Sequence, residues 1–280
     1  MSRPDEELTI RRILVALDGS HPSLAALEAA AELAASLEAE LQGLFVEDVN
    51  LLRVAGSPIA LEMRYPFGTT VRLDLARMER ALRAQATQAR RALAMVCEQW
   101  QVKWSFRVVR GEVAAEVLAA ATEADLLSLG KASRPLLRRV RLGSTARAAA
   151  AQAPRSVLLL HKDMAIRSPV IVTYDGSPTA RQALMMAARL AQNERQPPVV
   201  LILADSQDAV QQLRIRVSEW LRGRRLLAHY RPLVKAGLTK LIHTIRAEGN
   251  GILILSNTIV SPEALHTLLD EVECPVLLVR

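Results

Sequence analysis

Short apolar runs alternate along the chain with longer segments in which hydrophobic residues recur every three or four positions. The short runs are typical of buried parallel strands, and the longer segments are typical of amphipathic helices. This alternation predicts an α/β fold. The predicted strands are Ile13 to Leu17, Leu41 to Val46, Trp104 to Val108, Leu126 to Leu129, Val157 to Leu160, Val170 to Tyr174, Val199 to Leu203, Leu226 to Leu233, Ile252 to Leu255 and Val276 to Val279.

The second half of the chain repeats the first. The segment ILVALDGS, from Ile13 to Ser20, is echoed by IVTYDGS, from Ile171 to Ser177, and a proline and an alanine-rich helical pattern follow in both. The ends agree as well, because APRSVLLLHK (Ala153 to Lys162) resembles CPVLLVR (Cys274 to Arg280). With 280 residues, the chain has room for two domains that each bury a core. We therefore predict two tandem copies of one module.

The stretch from Leu126 to Thr145 carries the clearest functional signal. Its order is strand, Gly130, loop, Gly143 and then a helical pattern that begins with Ser144 and Thr145. A glycine loop that leads into a helix N-terminus can hold phosphate through backbone N–H groups alone. The loop contains no acidic residue and has five basic ones: Lys131, Arg134, Arg138, Arg139 and Arg141. A polyanionic ligand is therefore expected.

The spacing within this loop excludes two common phosphate-binding motifs. Neither the Walker pattern nor the dinucleotide fingerprint is present. Instead, Gly130 is followed after two residues by Ser133, and after nine more by Gly143 and Ser144. This resembles the nucleotide loop of the universal stress protein family, G-x2-G-x9-G-[S/T], with serine in place of the middle glycine.

The resemblance to that family covers nearly the whole chain as two tandem domains, over residues 1–163 and 168–280. It implies that each is an open, doubly wound domain with a five-stranded parallel sheet in the order 3-2-1-4-5 and helices on both faces. The two final strands, Val157 to Leu160 and Val276 to Val279, are apolar, and an exposed flat edge invites pairing. We expect these edges to cover each other, as in dimers of the family. A homodimer of the whole chain is left open.

The resemblance also implies an adenine nucleotide at the strand ends. The five basic residues of the loop favour ATP over AMP or ADP, and Mg²⁺ is left open as its companion. Asp18 would lie at the adenosine, and Val46 would offer its backbone to the adenine edge. Gly130, Gly143 and Ser144, together with Thr145, would hold the phosphates. From residue type alone, Asp18 would instead cap a turn or the following helix.

Two further positions complete the predicted site. Lys131 and the loop arginines are added as phosphate ligands because of their charge. Ser133 departs from the family motif, and it would cost affinity if the family glycine there has positive φ or allows close backbone approach.

The second copy lacks the loop. Its strand ends at Ser256 instead of glycine, and a helical pattern begins at Pro262, so both glycines and the nine-residue spacing are gone. Asp175 is kept, and its expected role is to cap the helix that Pro178 opens. One nucleotide per chain, in the first domain, is therefore predicted.

Composition excludes several classes of function. No window of about eighteen residues is free of charge, and the polar start lacks a signal peptide core, so we expect a cytoplasmic protein without a membrane span. Cys97 and Cys274 have no metal-ligand spacing and are expected to be reduced core thiols. The net charge of +7 is compatible with nucleic acid, but an aromatic content of 3% leaves few rings for stacking bases.

Catalytic residues and metal ligands are not predicted, because no triad, paired carboxylates or metal spacing stands near the loop. The resemblance implies a stress-linked sensor with slow ATP hydrolysis or none. Our first hypothesis is therefore a regulatory protein that binds an adenine nucleotide. The alternative is a scaffold that has lost the nucleotide and acts through contacts with a protein partner that the sequence does not name. An ATP-consuming ligase or hydrolase would need a catalytic base or metal cluster.

Overall fold

The computed structural model describes residues 10–57, 61–64, 69–72, 74–131, 142–160, 166, 168–192, 196–249 and 251–280. Strands and helices alternate along the chain, as the sequence pattern predicts. The elements up to residue 160 are β1 (Arg12–Ala16), α1 (His21–Leu37), β2 (Glu40–Asp48), α2 (Val49–Ala55), β3 (Leu61–Arg64), β4 (Thr69–Arg72), α3 (Leu75–Trp100), β5 (Trp104–Gly111), α4 (Val113–Ala121), β6 (Leu126–Gly130), α5 (Ser144–Gln152) and β7 (Ser156–Leu160). The later elements are β8 (Val170–Tyr174), α6 (Pro178–Gln192), β9 (Val199–Ala204), α7 (Gln207–Arg222), β10 (His229–Val234), α8 (Leu238–Ala247), β11 (Ile252–Ser256), α9 (Pro262–Glu271) and β12 (Val276–Val279).

Ten of these strands form one continuous sheet in the order β10-β9-β8-β11-β12-β7-β6-β1-β2-β5. Within each half of this sheet all neighbouring strands are parallel, and the order along the half is 3-2-1-4-5. The predicted α/β fold with two tandem five-stranded halves is thus confirmed. We call the half that ends with β7 the first domain and the half that begins with β8 the second domain.

The two halves meet where β7 and β12 pair antiparallel, with Leu158 opposite Leu277. The predicted pairing of the two final strands is confirmed. Every residue of both strands is buried in the paired sheet. Pairing satisfies their backbone groups and removes two apolar edges from solvent at once.

Helices cover both faces of the sheet, and each face has its own hydrophobic core. Helices α1, α3, α6 and α7 pack on one face, whereas α4, α5, α8 and α9 pack on the other. Both cores draw buried residues from both domains. The domains therefore share their apolar interior as well as their sheet.

Local structure differs from the sequence prediction in two places. The connection from Glu47 to Val71, whose sequence shows no clear helical or strand period, contains helix α2 and the antiparallel hairpin β3–β4. Strand β10 begins at His229, three residues later than predicted, because the chain first closes the end of α7. Leu226 N–H donates to the Leu221 carbonyl oxygen at 3.0 Å, and Arg225 has a φ of 58°. In the sequence, the apolar residues that close the end of α7 therefore resemble the start of a strand.

Truncation at the seam should destabilise the whole chain. Leu158 is fully buried opposite Leu277, so Leu158→Ala should lower the free energy of unfolding by about 2–5 kcal/mol through lost burial and the cavity left behind. Urea unfolding followed by circular dichroism measures this loss. Leu227→Ala is the matched control, because Leu227 is 79% exposed and should change stability little. Equal losses for the two variants would contradict the buried seam.

Candidate functional site

A crevice in the first domain opens at the carboxyl ends of β1, β2 and β6, beside the N-terminal turns of α4 and α5. Open α/β sheets bind ligands at this edge, where the strand order reverses. Four of the predicted site residues line it together: Asp18, Val46, Gly130 and Thr145. The sequence therefore predicted residues that the fold brings into one place from across the first domain.

Asp18 stands in a tight turn directly after β1. Gly19 has a φ of 76°, which favours glycine, and Ser20 N–H donates to Asp18 Oδ1 at 2.8 Å. The helix itself is capped by Ser20, whose Oγ accepts from Ser23 N–H at 3.3 Å. Among the residues that the structure describes, no donor reaches the second oxygen of Asp18, Oδ2. An exposed carboxylate oxygen is therefore available to a ligand at the mouth of the crevice.

Val46 offers its backbone to the same crevice. The carbonyl of Leu44 accepts a hydrogen bond from Leu17 N–H at 2.8 Å, so the backbone polar groups of Leu44 point toward the β1 side of β2. Backbone groups two residues apart on a strand point to the same side. The N–H and C=O of Val46 therefore point toward the space beyond the end of β1. One donor and one acceptor stand side by side there.

Gly130 ends β6 in a place where a side chain would not fit. A Cβ at this position would lie 2.8 Å from Pro22 Cβ and still closer to the Pro22 carbonyl group. Close packing against the first turn of α1 therefore accounts for this glycine without a ligand.

The N-terminus of α5 has no side-chain cap. Its N-cap residue is Gly143, and the first intrahelical bond is donated by Arg147 N–H to the Gly143 carbonyl at 2.9 Å. The N–H groups at Ser144 and Thr145 precede that bond, and such groups together with the helix dipole favour an anion. Gly143 has φ −63° and ψ 162°, so positive φ is not the reason for glycine here.

Lys131 does not face the crevice, and its predicted role as a phosphate ligand is wrong. Its side chain is 2% exposed, and Nζ donates to the carbonyl oxygens of Leu269 at 3.2 Å and Val272 at 3.4 Å in the second domain. Burial lowers the pKa of Lys131 to about 8, against weaker opposing effects from Cys274 and Asp270. Charge in the sequence could not reveal this partner, because the carbonyls lie about 140 positions away at the end of another helix.

Ser133 and the loop arginines, Arg134, Arg138, Arg139 and Arg141, lie outside the described residues. Three residues that the sequence did not single out meet at the far end of the same segment. Leu142 N–H donates to Asp270 Oδ1 at 3.0 Å, and Arg147 lies 3.6 Å from Asp270 Oδ2. No local pattern connects Asp270 with the loop, since it belongs to the second copy.

The second domain has the same aspartate turn after its first strand, β8, as the first domain has after β1. Ser177 N–H donates to Asp175 Oδ1 at 2.9 Å, and Ser177 Oγ accepts from Ala180 N–H at 3.1 Å. The helix cap predicted for Asp175 is therefore made by Ser177, because the aspartate is already used in the turn.

In helix α9, the counterpart of α5, side chains of the cap and first turn bind the N–H groups at the helix N-terminus. Ser261 Oγ accepts from Ala264 N–H at 3.3 Å, and Glu263 stands in the first turn. Hydrogen bonds from the Glu263 backbone and from Ser261 hold the pKa of this carboxyl below its usual range. A carboxylate thus occupies the position that an anionic ligand would need.

A wider cleft, of about 720 Å³ against about 140 Å³ for the first-domain crevice, lies at the strand ends of the second domain. It extends between α7 and β10 and is lined by Asp175 and Asp205 as well as by Arg216 and Lys235. Volume alone would favour this cleft. The glycine loop motif favours the first-domain crevice, because α5 has an uncapped N-terminus at the end of the loop from β6, whereas its counterpart α9 is capped by Ser261. Helix α8, beside the second-domain cleft, also begins after a glycine, Gly237, without a side-chain cap, but it follows β10 and has no such loop before it.

No helix in the described ranges is long and apolar enough to cross a membrane. Over the same part of the chain, no group of three or more His, Cys, Asp or Glu side chains is placed to hold a metal ion.

The buried amine of Lys131 should make stability depend on pH. The unfolded chain titrates near the ordinary value of 10.5 and the folded chain near 8, so the unfolded state binds more protons between these values. The free energy of unfolding contributed by this group should therefore rise with pH, by about 3 kcal/mol in all, between about pH 8 and 10.5.

Urea unfolding from pH 7 to pH 10 measures this rise as the difference between wild type and Lys131→Met, which keeps the apolar stem. Lys103→Met, which removes an exposed lysine, controls for the loss of one positive charge. A difference between wild type and Lys131→Met that stays constant over this range would contradict the burial of the amine.

Three comparisons place these features among known proteins. The model of the universal stress protein family matches residues 9–161. A universal stress protein from Archaeoglobus fulgidus is 14% identical, with 98% of both chains covered and a TM-score of 0.74. A protein of unknown function from Pseudomonas aeruginosa is 13% identical, with 97% of this chain and 93% of that chain covered and a TM-score of 0.58.

A universal stress protein in complex with cAMP is 21% identical over 55% of this chain and 99% of its own, with a TM-score of 0.39. No curated protein matches the sequence. The two long structural matches have the same fold over nearly the full length. Since the family model spans more than half of the sequence, the chain belongs to the universal stress protein family.

Proposed function

We propose that the chain is a regulatory protein that binds one adenine nucleotide, ATP foremost, in the crevice of the first domain as part of a stress response. The observation that carries the proposal is the uncapped N-terminus of α5, which adjoins the crevice formed by Asp18, Val46 and Gly130. Family membership supports the same assignment.

The adenosine end of the ligand is assigned to β1 and β2. Adenine presents a donor beside an acceptor on its pairing edge, which complements the paired C=O and N–H of Val46. The free oxygen of Asp18 can accept a hydrogen bond from a ribose hydroxyl, and a charged acceptor strengthens such a bond. Val113 and Val117 add apolar surface to the crevice wall for the faces of the base.

The phosphate end is assigned to the first turn of α5. Backbone N–H groups at Ser144 and Thr145, with their two hydroxyls, provide donors without requiring a cation. The corresponding turn in the second domain holds Ser261 and Glu263, whose own oxygens take the place of phosphate. Phosphate binding is therefore assigned to α5 of the first domain and not to the equivalent helix α9.

Calorimetric titration of the ligand-free full chain with ATP tests this proposal directly. We expect one site per chain, because α5 has an uncapped N-terminus at the end of its glycine loop, whereas the equivalent helix α9 is capped by Ser261. Two sites would contradict our interpretation of the second domain. No heat, in protein shown by mass spectrometry to carry no small molecule, would favour a scaffold that acts through protein contacts.

The Gly143→Val variant tests whether the phosphates bind at the N-terminus of α5. The φ of −63° at Gly143 is allowed for valine, so the fold should be kept while the side chain crowds the phosphate. Loss of two charge-assisted bonds, at about 1.5 kcal/mol or more each, predicts affinity weakened about a hundredfold or more. Ser256→Val, at the end of the equivalent strand β11, is the control and should leave ATP binding unchanged. Similar affinities for wild type and Gly143→Val would exclude α5 as the phosphate site.

Asp18→Ala tests the adenosine end separately. Loss of one charged acceptor should weaken ATP and AMP by the same factor, about tenfold, because both ligands carry the same ribose. Asp175→Ala removes the equivalent turn carboxylate in the second domain and should leave both affinities unchanged. If Asp175→Ala weakened binding as much as Asp18→Ala, the assignment of the ligand to the first domain would fail.

A further inference from the structure

The segment that joins β6 to α5 starts and ends against one helix of the second domain. At its start, Lys131 Nζ donates to the carbonyl oxygens of Leu269 and Val272. At its end, Leu142 N–H donates to Asp270 Oδ1 at 3.0 Å. These partners fall within the last turn of α9 and the residue that follows it. One helix turn of the second domain therefore contacts both ends of the proposed phosphate loop.

The contact at Lys131 satisfies a polar group that the helix leaves open. The last carbonyls of an α-helix have no partner within the helix and carry a partial negative charge, so they favour a cation. Lys131 provides that cation from a position that is 2% exposed. Its displacement would leave a buried amine and a buried carbonyl unpaired, and unpaired buried groups are costly. The residue directly after Gly130 is thus firmly held.

The contact at Leu142 fixes both backbone polar groups of that residue. Its N–H is held by Asp270, and its carbonyl accepts from Arg147 Nε at 3.1 Å. Arg147 in turn lies 3.6 Å from Asp270 Oδ2, and the Leu142 side chain is buried. Leu142 directly precedes Gly143, where α5 begins. The carboxylate of Asp270 therefore determines where the chain enters that helix.

We infer that Asp270 of the second domain is a positioning residue for phosphate binding in the first domain. The inference rests on the proposed function. Asp270 does not touch the ligand; it holds Leu142, and Leu142 places the N–H groups of α5. A site whose donors are already in place binds more tightly, because less ordering accompanies binding. The second copy has thus lost its own phosphate loop and supports the loop of the first.

Affinity for the phosphates should therefore depend on a residue more than a hundred positions away. Asp270→Ala should weaken ATP about tenfold, whereas adenosine, which has no phosphate, should bind within twofold of wild type. Asp270→Asn keeps an oxygen that can accept from Leu142 N–H and should restore most of the ATP affinity. Glu271→Ala, on the same turn, breaks an ion pair with Arg246 inside the second domain and should leave both ligands unaffected.

Calorimetry with ATP and with adenosine on the four full-length proteins provides these affinities. Equal weakening of ATP and adenosine by Asp270→Ala would indicate general damage and would overturn the inference. Unchanged ATP affinity in Asp270→Ala would overturn it as well, while the proposed function would stand if wild type binds ATP.

Hydrogen exchange at the Leu142 amide tests the contact without any nucleotide. Exchange measured by NMR should be faster in Asp270→Ala than in wild type and close to wild type in Asp270→Asn. If wild type binds no ATP, the proposed function fails and the positioning role fails with it, whatever the exchange rate. If wild type binds ATP but Leu142 exchange is the same in all variants, Asp270 does not hold this residue and the inference is overturned.

Discussion

The antiparallel pairing of β7 with β12 is the constraint on which the rest of the structure depends. Apart from Ser156 at the start of β7, both strands are apolar, and each would expose an unpaired edge if its domain stood alone. Pairing converts two five-stranded sheets into one of ten strands and merges the cores on both faces. Because the pairing buries apolar side chains and satisfies backbone groups together, separation of the domains would lose both contributions.

The same pairing decides what surrounds the candidate site. Strand β6, which ends at Gly130, lies beside β7, and helix α9 directly precedes β12. Once β7 and β12 are in register, the last turn of α9 reaches Lys131 and Leu142. The seam between the domains is thus also the place where the second domain contacts the proposed phosphate loop of the first.

The two copies of the module differ in the chemistry of one pair of equivalent helix N-termini, those of α5 and α9. In α5 a glycine begins the helix and leaves its first N–H groups open, whereas in α9 a serine hydroxyl and a glutamate carboxylate use them. The turns at Asp18 and Asp175 remain alike, because each serves the local backbone of its own domain. The first N–H groups of a capped helix are satisfied by its own side chains, whereas those of an uncapped helix are open to water or a ligand.

The sequence by itself determined the fold and the meeting of Asp18, Val46, Gly130 and Thr145, because strand and helix periods and strand ends are local patterns. The repeat and the apolar final strands also predicted the seam. Only the tertiary structure decided where the side chain of Lys131 lies and what it binds. A positive charge in a basic loop indicates phosphate, yet its side chain is buried against carbonyls of the other domain. The contact of Asp270 with Leu142 could not be predicted from the sequence either. It spans 128 positions and depends on the pairing of β7 with β12, so no local pattern indicates it.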